Sequence, residues 1–259
     1  MNHSVHHFGM GLWLLFLAYI VSVSGSVVGL ACTRCGAATH GRDRLRWLAM
    51  AAIAIGGVGI WLMHFIAMLG FAVPDSAVRY DLTWTVASAV LAISAVFVGL
   101  VVIGRKVRIP RLIAGGLITG LAVAGMHYTG MWALRIQGEV TYDRTLVALS
   151  VVVAVVAATA ALWFTLVLES PVMRFVAGLV MGVAVVGMHY TGMAAVRVTV
   201  DPSAPIPGGP EVFSFLFPVF VIGLLALAIP ITAVMMRSDR VGGPNPTVPR
   251  DVSPAGPAR

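Results

Sequence analysis

The chain has 259 residues, of which 59% are hydrophobic and only 10% charged, far below the ~25% charged share of a soluble domain. Its net charge of +7 would suit nucleic acid. The basic residues, however, fall between apolar runs and form no stripe on a soluble module, so nucleic-acid binding is excluded and the partner expected is a lipid bilayer.

In chain order, seven apolar segments read as spans: 10–31, 47–71, 82–104, 112–134, 145–167, 173–196 and 213–236. Each can cross the ~30 Å hydrocarbon core as a helix, which satisfies its own backbone hydrogen bonds. The predicted fold is all-α: a polytopic bundle of seven transmembrane helices, built from three helix-pair repeats plus a final helix. Residues 1–9 form a leader with no Lys or Arg, and the run that follows is too long for a signal peptide, so it reads as a retained helix. Glu169, Ser170, Pro171 and Arg174 mark the turn between the fifth and sixth spans. Pro218 and Pro230 predict kinks in the seventh. Residues 237–259, rich in Pro and Gly and without apolar periodicity, are expected to be a disordered tail.

Seven spans put the two termini on opposite sides. One side collects 13 Lys and Arg residues, including Arg42, Arg44, Arg46, Arg105, Lys106 and Arg108; the other holds four, Arg79, Arg135, Arg144 and Arg197. The positive-inside rule then places the N-terminus outside and the tail in the cytoplasm.

The even-numbered spans repeat. The second reads GGVGIWLMHFIAM, the fourth ITGLAVAGMHYTGM and the sixth VMGVAVVGMHYTGM, with His64, His127 and His189 spaced 63 and 62 residues apart. Tyr80-Asp81 recurs as Tyr142-Asp143, Ser88 as Ser150, and Gly116-x-x-x-Gly120 as Gly178-x-x-x-Gly182. Period and motif agree, as an internal repeat requires. Small-residue pairs let helix backbones approach closely, and these are expected to draw the even spans together.

Each copy carries Met-His-x-x-x-Met: Met63, His64 and Met68; Met126, His127 and Met131; Met188, His189 and Met193. Composition alone predicts about 0.02 such matches. His and the later Met, four residues apart, stack on one helix face, so one helix can offer an imidazole and a thioether to a common point. All three motifs fall in the last turns before the outer boundary. Asp81 and Asp143 begin the following spans on that side, where either is placed to accept from an imidazole N–H. Thioether with imidazole suits copper, above all Cu(I). Zinc would normally call for more Cys, His or carboxylate ligands. Haem, held by His pairs or His/Met, is the weaker fit.

The motif resembles that of the bacterial MHYT family, a membrane sensor domain named for Met-His-Tyr-Thr. His127 and His189 sit in the full Met-His-Tyr-Thr-Gly-Met form, and the first copy departs to Met-His-Phe-Ile-Ala-Met. The resemblance covers residues 10–236. It implies a seven-helix domain in the cytoplasmic membrane of a bacterium that binds copper through the nine Met and His residues above. It also implies a response to a diatomic gas such as oxygen, carbon monoxide or nitric oxide. Many members carry cyclic di-GMP synthesis or breakdown domains; no such domain is read here, so a separate signalling partner is expected to receive the signal. Tyr128 and Tyr190 either donate hydrogen bonds to a ligand or pack near the interface.

Two further features carry chemistry. His3, His6 and His7 lie on the motif side of the membrane, as copper-capturing groups or as a flexible leader. Cys32-Thr33-Arg34-Cys35 is expected to hold free thiols, because two cysteines do not complete a zinc site. No nucleophile triad, phosphate loop or paired carboxylate lies within the spans, so enzymatic function is not expected. The alternative to a sensor is copper uptake or handling, which would need a ligand path through the membrane.

Overall fold

The computed structural model describes residue 9, residues 11–74 and residues 76–242. His3, His6, His7 and residues 243–259 lie outside the described residues. Seven helices among those described are long and apolar enough to cross a membrane: α1 (Trp13–Ala37), α2 (Gly41–Met68), α3 (Leu82–Ile103), α4 (Ile109–Trp132), α5 (Arg144–Val167), α6 (Pro171–Ala194) and α7 (Val212–Gly242). Each matches one predicted span. α2 begins six residues earlier than predicted, at Gly41, where charged residues Arg42 to Arg46 extend the helix beyond its apolar part. α7 runs past 236 to Gly242, so the first residues of the expected tail are helical. Pro218 and Pro230 lie inside it. Cys32 is buried and Cys35 half-buried, both as free thiols.

Helix starts follow from local chemistry. Asp81 and Asp143 cap α3 and α5, each accepting from two backbone N–H groups of the first turn. α4 and α6 carry a proline in their first turn, where the missing N–H costs nothing and the fixed φ suits the helix. α3 stops at Gly104, whose φ of 74° is costly for residues with a β-carbon. Within α2, residues Ile53–Leu62 wind as a wide π-helix. Such segments are rare and concentrate near functional sites.

α1 to α6 form a closed ring. α1 packs on α2, α2 on α3, α3 on α4, α4 on α5, α5 on α6, and α6 back on α1; α7 lies outside the ring against α1 and α2. The small-residue pairs make these contacts in an order that the sequence did not predict. Gly116 and Gly120 of α4 meet Thr159 and Val155 of α5, while Gly178 and Gly182 of α6 meet Val27 and Val23 of α1. They join even helices to odd ones, correcting the expectation that they join even to even. A β-carbon at Gly120 would overlap the Val155 backbone. Gly120→Val is therefore expected to lower stability by ~1–3 kcal/mol, read as a lower melting temperature in detergent. Gly187→Val, where nothing lies within 4 Å, should leave it unchanged.

The connections at the histidine end fold into two small antiparallel sheets. β1 (Arg79–Tyr80) pairs with β2 (Leu134–Arg135), and β3 (Gly138–Tyr142) pairs with β4 (Val196–Val200). The β4 segment alternates buried Val196, Val198 and Val200 with exposed Arg197 and Thr199, the period-two signature of a half-buried strand. Two repeat-related clamps fix these strands to the helices. Arg135 pairs with Asp81 at 2.9 Å and Arg197 with Asp143 at 3.6 Å. Beside them, the Asp81 and Asp143 backbone N–H groups donate to the Ala133 and Ala195 carbonyls.

Candidate metal centre

The ring geometry brings the facing sides of α2, α4 and α6 to one point near the strand-bearing end. His64, His127 and His189 are 1%, 1% and 2% exposed. The Nδ1 atom of His64 lies 3.0 Å from Nδ1 of His189 and 3.2 Å from Nδ1 of His127. One ring nitrogen from each histidine falls within 4.8 Å of the other two. The three rings stand edge to face like propeller blades, with centroids 4.9–5.1 Å apart and interplanar angles of 80–85°.

Each blade is held by an aromatic ring, and two of them also by a glycine. The aromatic after each histidine packs edge-on against it: Phe65 on His64, Tyr128 on His127 and Tyr190 on His189. Two of these aromatics meet a tyrosine of the next connection, Phe65 meeting Tyr80 and Tyr128 meeting Tyr142. On the far side, the Nε2 atoms of His64 and His127 face glycines of the next repeat. A β-carbon at Gly130 would fall 2.6 Å from His64 Nε2, and one at Gly192 would collide with His127 Nε2. Gly130 and Gly192 occupy the same place in the motif, three residues after the histidine, and Ala67 stands there in the first copy. These glycines were visible in the sequence as part of Met-His-Tyr-Thr-Gly-Met. Their contact with the neighbouring copy's imidazole was not, because it joins different helices.

The first copy's missing phenol has a substitute. Tyr128 Oη hydrogen-bonds Ser150 Oγ at 2.7 Å, tying α4 to α5. Phe65 has no hydroxyl, and Trp61 one turn earlier donates its indole N–H to Ser88 Oγ at 2.9 Å. Ser88 and Ser150 are repeat equivalents, so two different donors tie an even helix to the next odd one.

The methionines divide into two sets, all buried. Met68, Met131 and Met193 join Phe65, Phe71 and Tyr80 in one apolar cluster beneath the strands. Met126 and Met188 belong to the large core cluster of the ring, and Met63 packs in a third cluster with α1 residues such as Leu14 and Ala18. Position in the motif decides this: the later Met shares the histidine's face and the earlier one is turned ~100° away.

Asp81 and Asp143 do other work than expected. Asp81 accepts from Arg135 and from the Thr83 and Trp84 N–H groups. Those partners hold its carboxyl below the usual carboxylate range, with the Arg135 bond contributing most. Asp143 accepts from the Leu146 and Thr145 N–H groups, which lower it likewise. Both carboxylates cap and clamp, and neither orients the imidazole of His64 or His127, whose Nε2 atoms have no hydrogen-bond partner among the described residues.

The donor set fits a metal ion. Three neutral imidazoles each bring one lone pair and one N–H, so His64 Nδ1, in contact with both other Nδ1 atoms, can satisfy the two contacts only by sharing a single lone pair. A cation at the centre would take all three lone pairs. Ligand nitrogens about 2.0 Å from a shared ion stand roughly 3.5 Å apart when three surround it in a plane, and the 3.0 and 3.2 Å separations lie close to that.

Comparison with known proteins places the chain among bacterial signalling proteins. The MHYT family, described as a bacterial signalling protein N terminal repeat, matches residues 57–116 and 120–178. The bifunctional diguanylate cyclase/cyclic di-GMP phosphodiesterase MucR of Pseudomonas aeruginosa is 40% identical over 190 residues, 71% of this chain and 27% of that protein. The cyclic di-GMP phosphodiesterase NbdA of the same organism is 35% identical over 201 residues, 74% of this chain and 25% of that protein. The signaling protein YkoW of Bacillus subtilis is 29% identical over 216 residues, 80% and 26% of the two chains. The chain thus spans about a quarter of these relatives' length. No solved structure matches. With its repeated motif, its ring of helices and these relatives, the chain belongs to the MHYT family of membrane signalling domains.

Proposed function

We propose that the domain is a copper-dependent sensor in the bacterial cytoplasmic membrane, with His64, His127 and His189 as the ligands that hold the ion. The observation that carries this is the convergence of three buried Nδ1 atoms at 3.0 and 3.2 Å. Among the described residues no carboxylate shares the site: Asp81 and Asp143 are spent on helix caps and arginines. The ion's charge would be uncompensated in a low-dielectric setting, where the cost of burial rises with the square of charge, about four times greater for a divalent ion than for a monovalent one. That favours Cu(I) over zinc or Cu(II), in line with the soft thioethers of Met68, Met131 and Met193 nearby. Met63, Met126 and Met188 support the histidines by packing.

When bound, copper supplies a one-electron couple and a soft Lewis-acid site for a diatomic ligand such as oxygen, carbon monoxide or nitric oxide. The chain's residues do the rest. Phe65, Tyr128 and Tyr190 set ring orientation, and the cluster beneath the strands excludes water. Displacement of the His64 or His127 imidazole presses on the glycine of the next repeat, which links the first copy to the second and the second to the third. The expected listener is a cyclic di-GMP enzyme, since MucR and NbdA are such enzymes. The 13-to-4 distribution of Lys and Arg supports an outward-facing centre with the C-terminus in the cytoplasm. The interior on the other side of the triad offers apolar walls, which supports sensing over copper passage.

Titrating metal-free purified protein with Cu(I) under reducing conditions tests this reading. One equivalent per chain is expected to bind, undisplaced by equimolar zinc. Zinc binding with copper excluded would overturn it.

A further inference from the structure

On the side of the triad away from the strands, the ring encloses an apolar cavity of about 60 Å³. One guest the size of a water molecule needs ~10–15 Å³ on this measure, so the space is several times that minimum. Its position relates directly to the histidines. Ile60, Val123 and Val185 line it, and each lies four residues before a motif histidine, one helical turn along the same face. Thr119 and Met181 line the next layer, eight residues before His127 and His189; in α2 the residue at that layer is Ile55, nine before His64. The π-wound segment between them accounts for the extra residue, because its turns are wider.

The two hydroxyls in the lining are already bonded. Thr119 Oγ1 donates to the Ala95 carbonyl, and Thr165 Oγ1 to that of Leu162. With both hydroxyl protons spent, the walls offer water few partners beyond those two oxygens, and apolar cavities of this kind stay dry and take up apolar guests such as xenon. The space exists because the repeat is uneven. At the position where α3 presents Val96, α5 presents Ala158, 62 residues later, and Ala154, Ala157 and Ala161 flank it. Ala157, Ala161 and Ala184 are half-buried, so three of the side chains that line the cavity on α5 and α6 are single methyl groups that reach the surface.

We propose that this cavity is a docking chamber for a small apolar molecule of diatomic-gas size, which enters from the bilayer core between α5 and α6 and waits one turn from the imidazoles. Apolar gases concentrate in hydrocarbon rather than water, and the strand side of the triad is closed by packed side chains. The chamber's use as a supply to the centre rests on the copper reading; its existence as a binding site does not.

The test is xenon binding to metal-free protein in lipid nanodiscs, followed by 129Xe NMR, with copper uptake measured in parallel. The parent is expected to show a saturable bound-xenon signal. Ala158→Val, which only restores the side chain found at position 96, should weaken it roughly tenfold, and Ala158→Leu should abolish it. Val156→Leu, on the lipid-facing side of the same helix, should keep it. Copper uptake should be the same in all four proteins. Equal xenon signals in the parent and both Ala158 variants would overturn the chamber. Xenon binding lost in those variants, in a protein that takes no copper, would uphold the chamber and remove only the metal reading.

Discussion

Replacing any one of His64, His127 and His189 with alanine is expected to weaken copper binding by at least ~100-fold, since changes merely outside the ligand shell already cost 10–100-fold. The three substitutions should be equivalent, because the imidazoles are related by the repeat and each is buried to the same degree. The helices should survive. Removing one blade relieves a crowded triangle of nitrogens, and the GxxxG contacts that close the ring lie two to three turns away. Metal analysis of detergent-purified variants, with circular dichroism as the control for folding, reads both outcomes. Copper retained in all three would show that the triad is a packing feature.

Gly130→Ala and Gly192→Ala should lower copper affinity by ~10–100-fold without removing a ligand. Each adds one methyl group where an imidazole nitrogen already sits, 2.6 Å from the built position at Gly130. The imidazole cannot retreat, for an aromatic ring and two other imidazoles enclose it. Something must tilt by several tenths of an ångström, and a site of three fixed ligands does not tolerate that. Ala67 is the instructive comparison, since the first copy carries a methyl group at the same motif position. Ala67→Gly should therefore be mild. Isothermal titration with Cu(I) measures all three variants, and unchanged affinity in Gly130→Ala would remove the claim that these glycines seat the histidines.

How much of this was legible in the sequence depended on the range of the signal. Span positions came from apolar runs, which report local free energy of burial in lipid, and every run is a helix. The triad was legible because three copies at a 62- to 63-residue period placed their histidines at equal depth. What the sequence could not supply was the partner of each face. Gly116 and Gly120 announced a close contact without saying that α5 would fill it, and Asp81 and Asp143 lay near the histidines in depth while pointing to caps and arginines. The strands were missed for a different reason. Val196, Val198 and Val200 alternate, but five residues where a span drawn to 196 ends carry too short a pattern to be assigned until their partner, β3, is known. Trp61 with Ser88 shows the same limit: the first copy's Phe65 looked like a loss, and only packing reveals that an indole one turn earlier makes the equivalent tie.

X-ray absorption at the copper edge of protein loaded with one equivalent of Cu(I) tests the central claim most directly. The account predicts a first shell dominated by three imidazole nitrogens, with the outer-shell scattering that imidazole rings give, and its loss in His127→Ala. A first shell of sulfur alone, unchanged by that substitution, would contradict it.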